Sequence, residues 1–217
     1  MKSEAFNYSD GADHFIGHLA WDETLDGPQP SVLIAPAFGG LSDFERARAE
    51  ELAALGYVAI AVDYYGNGKR AGSPEEAQAL MGTLQADRKI LARRMVAACD
   101  AAKALPQVDA GRIGAMGYCL GGKAVLDLAR TGADIRACAP LHGVYDRPNF
   151  ETIIQDFVIS YNSDPKRKGS FREINISHVI LTINNILFGE HSVGDGLGNV
   201  FYMNKSFHRI INNIPKS

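Results

Sequence analysis

RIGAMGYCLGGKAVLDLAR, residues 112–130, reads as an apolar strand that ends in a Gly-x-Cys-x-Gly turn and runs straight into an alanine- and leucine-rich helix. A chain that passes from strand to helix within so few residues has no room for side chains on the flanks of the turn, so Gly117 and Gly121 mark where strand and helix come closest. The residue between them is forced into a strained backbone conformation, and its side chain is pushed into the open. At a helix N-terminus the unpaired N–H groups and the helix dipole favour negative charge, which lowers a thiol pKa and steadies an oxyanion. Cys119 is therefore the candidate nucleophile. Most free cysteines are only small buried apolar residues, and it is the position between strand and helix that sets Cys119 apart from Cys99 and Cys138.

Outward from this turn the chain alternates strand and helix. SVLIAPAF (31–38) and YVAIAVDYY (57–65) are apolar, β-branched and aromatic, as buried parallel strands are. Between them Ser42 and Glu45 form a capping box, leucines and alanines follow, and Gly56 stops the helix. A second start, Ser73 with Pro74 and Glu76, opens a segment that Gly82 is expected to interrupt, and a further helix is expected from about Gln85 to Leu105, ended by Pro106. RACAPLHG (136–143) supplies another strand, and FNYSDG followed by HFIGHLAWD reads as a peripheral hairpin. The alternation predicts a doubly wound, mostly parallel α/β sheet with its ligand site at the carboxyl ends of the strands. Arg93, Arg94 and the run DRK (87–89) read as a solvated helix face, and YYGNGK (64–69) as either a wall of the site or a plain surface turn.

The 217 residues, 46% hydrophobic and 22% charged, suit one globular domain with a substantial core. A formal net charge of −3 provides no field for a nucleic-acid partner. The opening MKSEAFNYSDGADHF has no apolar core of signal-peptide length, and no apolar run approaches the roughly 20 residues of a membrane helix, so a cytoplasmic chain without a membrane partner is expected. Three cysteines inside apolar segments argue against a disulfide framework, and no CxxC or HExxH spacing suggests a metal. Composition changes near residue 140: residues 1–139 hold 28 alanines and residues 140–217 none, while asparagine rises from two to nine. The second part is either a diverged continuation or a tail of separate origin.

VLIAPAFGGLSDFERARAEELAALGYVAIAVDYYGNGK (32–69), PEEAQAL (74–80), VDAGRIGAMGYCLGGKAVLDLARTGADIRA (108–137) and LHG (141–143) together resemble the dienelactone hydrolase family, α/β-hydrolases with a cysteine nucleophile. The resemblance covers roughly residues 8–150, which makes 1–150 a family-like core and 151–217 a divergent tail of a single 1–217 domain. It implies a Cys-His-Asp triad acting on ester or lactone bonds of small molecules, without a cofactor, in a monomer or small homo-oligomer. The oxyanion donors it implies are the backbone N–H groups of Leu120 and of Phe38. Where dienelactone hydrolases proper carry a glutamate after this strand, the chain has Ala37, so a broader esterase role is expected.

The order nucleophile, acid, histidine directs the search for the partners into the tail. FVISY followed by NSDP resembles the family's strand and Asp-Pro signature, making Asp164 the candidate acid, although Asp-Pro is also a common turn. GEHSV (189–193) loosely resembles the family's histidine loop, making His191 the candidate base, with His142, His178 and His208 as rivals. Val200, Met203, Phe207, Ile210, Ile211 and Ile214 recur at helical spacing as a closing helix. A class I glutamine amidotransferase would share the elbow but needs a His-x-Glu pair, and His178, His191 and His208 are followed two residues on by Ile180, Val193 and Ile210. A binding or regulatory protein that keeps the hydrolase scaffold is the alternative from a different class.

Overall fold

A computed structural model describes residues 1–141, 192–194 and 200–202. The chain divides into two compact units, Met1–Asn162 and Ser163–Ser217. In the first, strands β1 (Lys2–Ser9), β2 (His14–Trp21), β3 (Gln29–Ala35), β4 (Val58–Ala61), β5 (Val108–Tyr118) and β6 (Ala137–Leu141) form one sheet in the order β1-β2-β4-β3-β5-β6. Strands β4, β3, β5 and β6 are mutually parallel, and the hairpin β1–β2 joins antiparallel at the β4 edge, as its peripheral reading requires.

The central strands are apolar because both sheet faces are covered. Val32, Leu33, Ile34 and Ala35 are each 0% exposed, so the two side-chain directions that alternate along β3 both end in packed hydrocarbon. Helix α1 (Asp43–Ala53) packs on β2, β3 and β4, whereas α3 (Arg88–Lys103) and α4 (Leu120–Arg130) pack on one another and on β5. Leu33, Ile60, Leu91, Met95, Val125 and Leu128 join one apolar cluster there. Each such side chain contributes about 1.5–3 kcal/mol by leaving water.

Local signals set the helix starts. Ser42 accepts from the Phe44 N–H (3.2 Å), and the Glu45 carboxylate reaches back to accept from the Ser42 N–H (2.9 Å) and hydroxyl (2.6 Å), closing the expected capping box. Helix α2 (Pro74–Ala86) begins under Ser73, which accepts from the Glu76 N–H. It runs through Gly82, which faces open space and costs only its intrinsic ~1 kcal/mol. The break expected at Gly82 comes instead at Asp87, whose extended backbone (φ −138°, ψ 96°) ends α2 while its carboxylate caps α3 at the Lys89 N–H.

Two charges of α3, Arg88 and Arg94, correct a second expectation, whereas Lys89 and Arg93 lie on the exposed face expected of them. Arg88 is buried and grips the fully buried Asp127 of α4 with two parallel bonds, Nε to Oδ2 at 2.9 Å and Nη2 to Oδ1 at 2.5 Å. Arg94 donates to the Tyr64 carbonyl (2.8 Å) and pairs with Asp13 (2.7 Å), and Arg93 reaches Asp10 (2.8 Å). Partners so distant in sequence leave no local signature, which is why the run looked like a solvated face.

In the second unit the described residues are two short antiparallel strands, β7 (Ser192–Gly194) and β8 (Val200–Tyr202). The closing helix expected from Val200 therefore does not begin there, since Val-Phe-Tyr, β-branched and aromatic, pairs as extended backbone; Met203, Phe207, Ile210, Ile211 and Ile214 lie outside the described residues.

Removing Arg88 leaves the buried Asp127 carboxylate, among the described residues, with only Arg130, whose Nη1 donates to Oδ1 at 3.1 Å, in place of the two-pronged grip. Arg88→Leu is expected to lower unfolding free energy by about 3–5 kcal/mol and Arg93→Leu, on the surface, by less than about 1 kcal/mol, as read by urea denaturation.

Candidate active site

In the register of β3 with β5, Ala35 stands beside Gly117. Beyond those residues both chains leave the sheet at its carboxyl end, the loop 36–42 from β3 and Cys119 from β5. The two segments touch through backbone. A Cβ on Gly117 would stand 2.2 Å from the Gly121 carbonyl oxygen, and one on Gly121 would stand 2.1 Å from the Ala35 oxygen and 2.5 Å from that of Pro36. Only glycine fits either place. The first turn of α4 thus rests directly on the start of the β3 loop.

Cys119 adopts φ 53° and ψ −111°, a conformation that costs a non-glycine residue about 1–3 kcal/mol and persists only when its surroundings impose it. Its N–H donates to the Leu141 carbonyl (3.0 Å) and its carbonyl accepts from the Lys123 N–H (3.3 Å), tying the strained residue to β6 and to α4. The side chain is half-buried, whereas Cys99 and Cys138 are buried in the core. Burial pushes the Cys99 thiol up to about 11 and the Cys138 thiol up to about 12, and Cys138 Sγ donates to the Val125 carbonyl. Those two thiols pack.

Leu120, the first residue of α4, is buried beside the elbow, and half-buried Phe38 sits in the β3 loop. Among the described residues neither of these N–H groups has a hydrogen-bond acceptor. The loop is held from its carbonyl side. Tyr64 Oη lies 2.5 Å from the Pro36 oxygen and 2.9 Å from that of Ala37, and Tyr65 Oη donates to the Phe38 carbonyl at 2.7 Å. The two rings meet edge to face. Burial is the main cause that raises both hydroxyls above the ordinary tyrosine range, with the charge of Cys119 a smaller contributor to each, so both phenols stay protonated donors close to the thiol.

Through these contacts YYGNGK is joined to the loop after β3, although Asn67, Gly68 and Lys69 are themselves exposed as in a surface turn. Gly66, Asn67 and Gly68 all take positive φ, and the buried Asp63 carboxylate accepts from the N–H groups of Ile16, Tyr65, Gly66 and Gly68 at 2.7–3.0 Å. The Ala71 N–H donates to the Gly39 carbonyl, and a Cβ on Gly40 would stand 2.8 Å from the Lys69 oxygen, so the loops after β3 and β4 are joined along their length. Sequence reading missed Tyr64, Tyr65 and Asp63. An aspartate ahead of Gly-Asn-Gly is a turn signal that pointed to the last of them.

Asp164 and His191, with the rivals His142, His178 and His208, lie outside the described residues. Leu141, whose carbonyl holds the Cys119 N–H, directly precedes His142 in the chain. Among the described residues no three His, Cys, Asp or Glu side chains gather as metal ligands do, and no helix is long and apolar enough to cross a membrane.

A mostly parallel sheet, helices on both faces and a strained cysteine between strand and helix define an α/β-hydrolase fold. The model of the dienelactone hydrolase family matches residues 17–161, and the chain belongs to that family. It is 32% identical over 124 residues to a probable 2-oxo-3-(5-oxofuran-2-ylidene)propanoate lactonase from Bradyrhizobium sp., covering 56% of this chain and 49% of that protein. Among solved structures it is similar to m3DLH, with TM-score 0.66 and 39% identity over 68% of this chain and 61% of that one. It is also similar to a dienelactone hydrolase-like promiscuous phosphotriesterase from metagenomic libraries, with TM-score 0.63 and 38% identity over 65% of this chain and 59% of that one. The chain thus spans about half to three fifths of the length of these relatives.

Iodoacetamide at pH 8 is expected to alkylate Cys119 alone in the folded protein, checked by mass spectrometry of the cysteine peptides; labelling of Cys99 at a similar rate would contradict the burial described. The buried thiols also set an alkaline dependence. Unfolded thiols lose their protons from about pH 8.5 while folded Cys99 keeps its own to about 11 and Cys138 to about 12, so each of the two lowers stability by about 1.4 kcal/mol per pH unit between about 8.5 and 11. Urea midpoints between pH 8 and 10.5 should show a shallower fall in Cys99→Ala.

Proposed function

We propose that this chain is a carboxylic ester hydrolase that opens ester or lactone bonds of small molecules through a thioester on Cys119, without a cofactor. The observation that carries this reading is the strained, half-buried Cys119 on the glycine elbow, in a protein whose other two thiols are buried. Family membership and the lactonase named above support the substrate class, and the phosphotriesterase supports hydrolysis more broadly.

In the proposed reaction His191, oriented by Asp164, takes the Cys119 proton, and the thiolate attacks the substrate carbonyl carbon. Charge gathers on the carbonyl oxygen, which the N–H groups of Leu120 and Phe38 receive; one such donor is worth about 10²–10³ in rate. The carbon–oxygen bond breaks, the leaving alkoxide takes the proton back from His191, and water, deprotonated by the same imidazole, then splits the thioester to acid and thiol. In a lactone the departing hydroxyl stays attached to the acyl chain. The chain acts in the cytoplasm as a monomer or small homo-oligomer, on a small-molecule substrate and with no nucleic-acid or membrane partner.

With p-nitrophenyl acetate, wild type should turn over, Cys119→Ser should lose at least about 100-fold in kcat, and His191→Ala about 10²–10⁴-fold as a general base would. His178→Ala and His208→Ala should change little. Turnover that survives Cys119→Ser, or none in the wild type, would favour a binding protein built on the hydrolase scaffold, the reading that Ala37 also suits.

A further inference from the structure

Tyr64 is almost wholly buried, yet its hydroxyl contacts two consecutive carbonyl oxygens of the β3 loop, those of Pro36 (2.5 Å) and Ala37 (2.9 Å). Every peptide bond of the described residues is trans, so the C=O of residue 37 and the N–H of residue 38 point in opposite directions on one rigid plane. Turning the Ala37 carbonyl toward Tyr64 therefore turns the Phe38 N–H away from it. The Gly40 N–H donates to the same Ala37 oxygen (3.0 Å), which leaves the plane no free rotation and polarises its N–H further. Tyr64 is itself held at its main chain by Arg94, whose Nη1 donates to the Tyr64 carbonyl (2.8 Å), so the hydroxyl works from a fixed base on α3.

We infer that Tyr64 is a positioning residue for the reaction: its hydroxyl fixes the 37–38 peptide plane so that the Phe38 N–H is presented, free and oriented, as an oxyanion donor. The inference rests on the proposed role of Phe38 in ester hydrolysis. Preorganised donors gain their effect from being aimed before charge appears, and in this loop the aiming is done by a side chain from the neighbouring strand end.

Two reactions of the same thiol separate this role from a merely structural one. Attack on p-nitrophenyl acetate places negative charge on a carbonyl oxygen, whereas displacement of iodide from iodoacetamide places none in an oxyanion site. Tyr64→Phe keeps the ring and removes the hydroxyl. It is expected to lower kcat for the ester by about tenfold or more with KM little changed, while Cys119 alkylates at the wild-type rate. Equal ester turnover in the two proteins would overturn the inference. So would equal losses in both reactions, or failure to fold, since either assigns the hydroxyl to the elbow's structure alone. A second measurement needs no variant: in wild type, a trifluoromethyl ketone adds to Cys119 with formation of a carbon–sulfur bond and an oxyanion, and exchange of the Phe38 amide should slow. No slowing overturns the inference as well. A wild type without Cys119-dependent turnover would overturn the proposed function first and this role with it.

Discussion

The contact between Gly121 and the carbonyls of Ala35 and Pro36 is the constraint on which the arrangement depends. It brings the first turn of α4 against the loop after β3 at a separation no Cβ would allow. With Gly117 pressed equally hard against Gly121, the strand has no way to continue and the helix no other place to start. Cys119 takes up the angular mismatch as a positive φ. The strain is held because Leu141 on one side and Lys123 on the other bond its main chain, so releasing it would break both.

A site raised on such an elbow needs rigid ground. The sheet supplies it through β3, which is buried on both faces and aligned with β4 and β5, and the loops are supplied with it by polar groups turned inward. Asp63 spends its carboxylate on four backbone N–H groups, Tyr64 and Tyr65 spend their hydroxyls on the carbonyls of residues 36–38, and Arg94 ties Tyr64 to α3. The Asp63 carboxylate and the two tyrosine hydroxyls are all answered by backbone, which orders loops that have little hydrophobic surface of their own. Further back, the Arg88–Asp127 pair fastens α3 to α4 and so fixes the helix whose N-terminus faces the thiol.

Much of this was legible residue by residue. The glycine-framed cysteine named the elbow, the apolar runs named β3, β4, β5 and β6, and the Ser42–Glu45 box named the start of α1, because each is a local rule acting over a few adjacent residues. Gly82 misled, since a glycine that faces open space weakens a helix without ending it, whereas the extended Asp87 both ends one helix and caps the next. Val200 misled in a similar way: an apolar spacing of three to four suggested a helix, and the β-branched and aromatic side chains of Val200–Tyr202 paired as a strand.

By itself the sequence determined the alternation of strands and helices, the strained thiol and its place between β5 and α4, since these follow from backbone sterics and hydrophobic periodicity. Only the tertiary structure decided what the charges and phenols do: that Arg88 closes on Asp127, that Asp63 organises the loop after β4, and that Tyr64 and Tyr65 grip the loop after β3. Those bonds join residues up to tens of positions apart, and a hydrogen bond has direction and reach but no sequence period, so nothing short of the folded sheet could pair them.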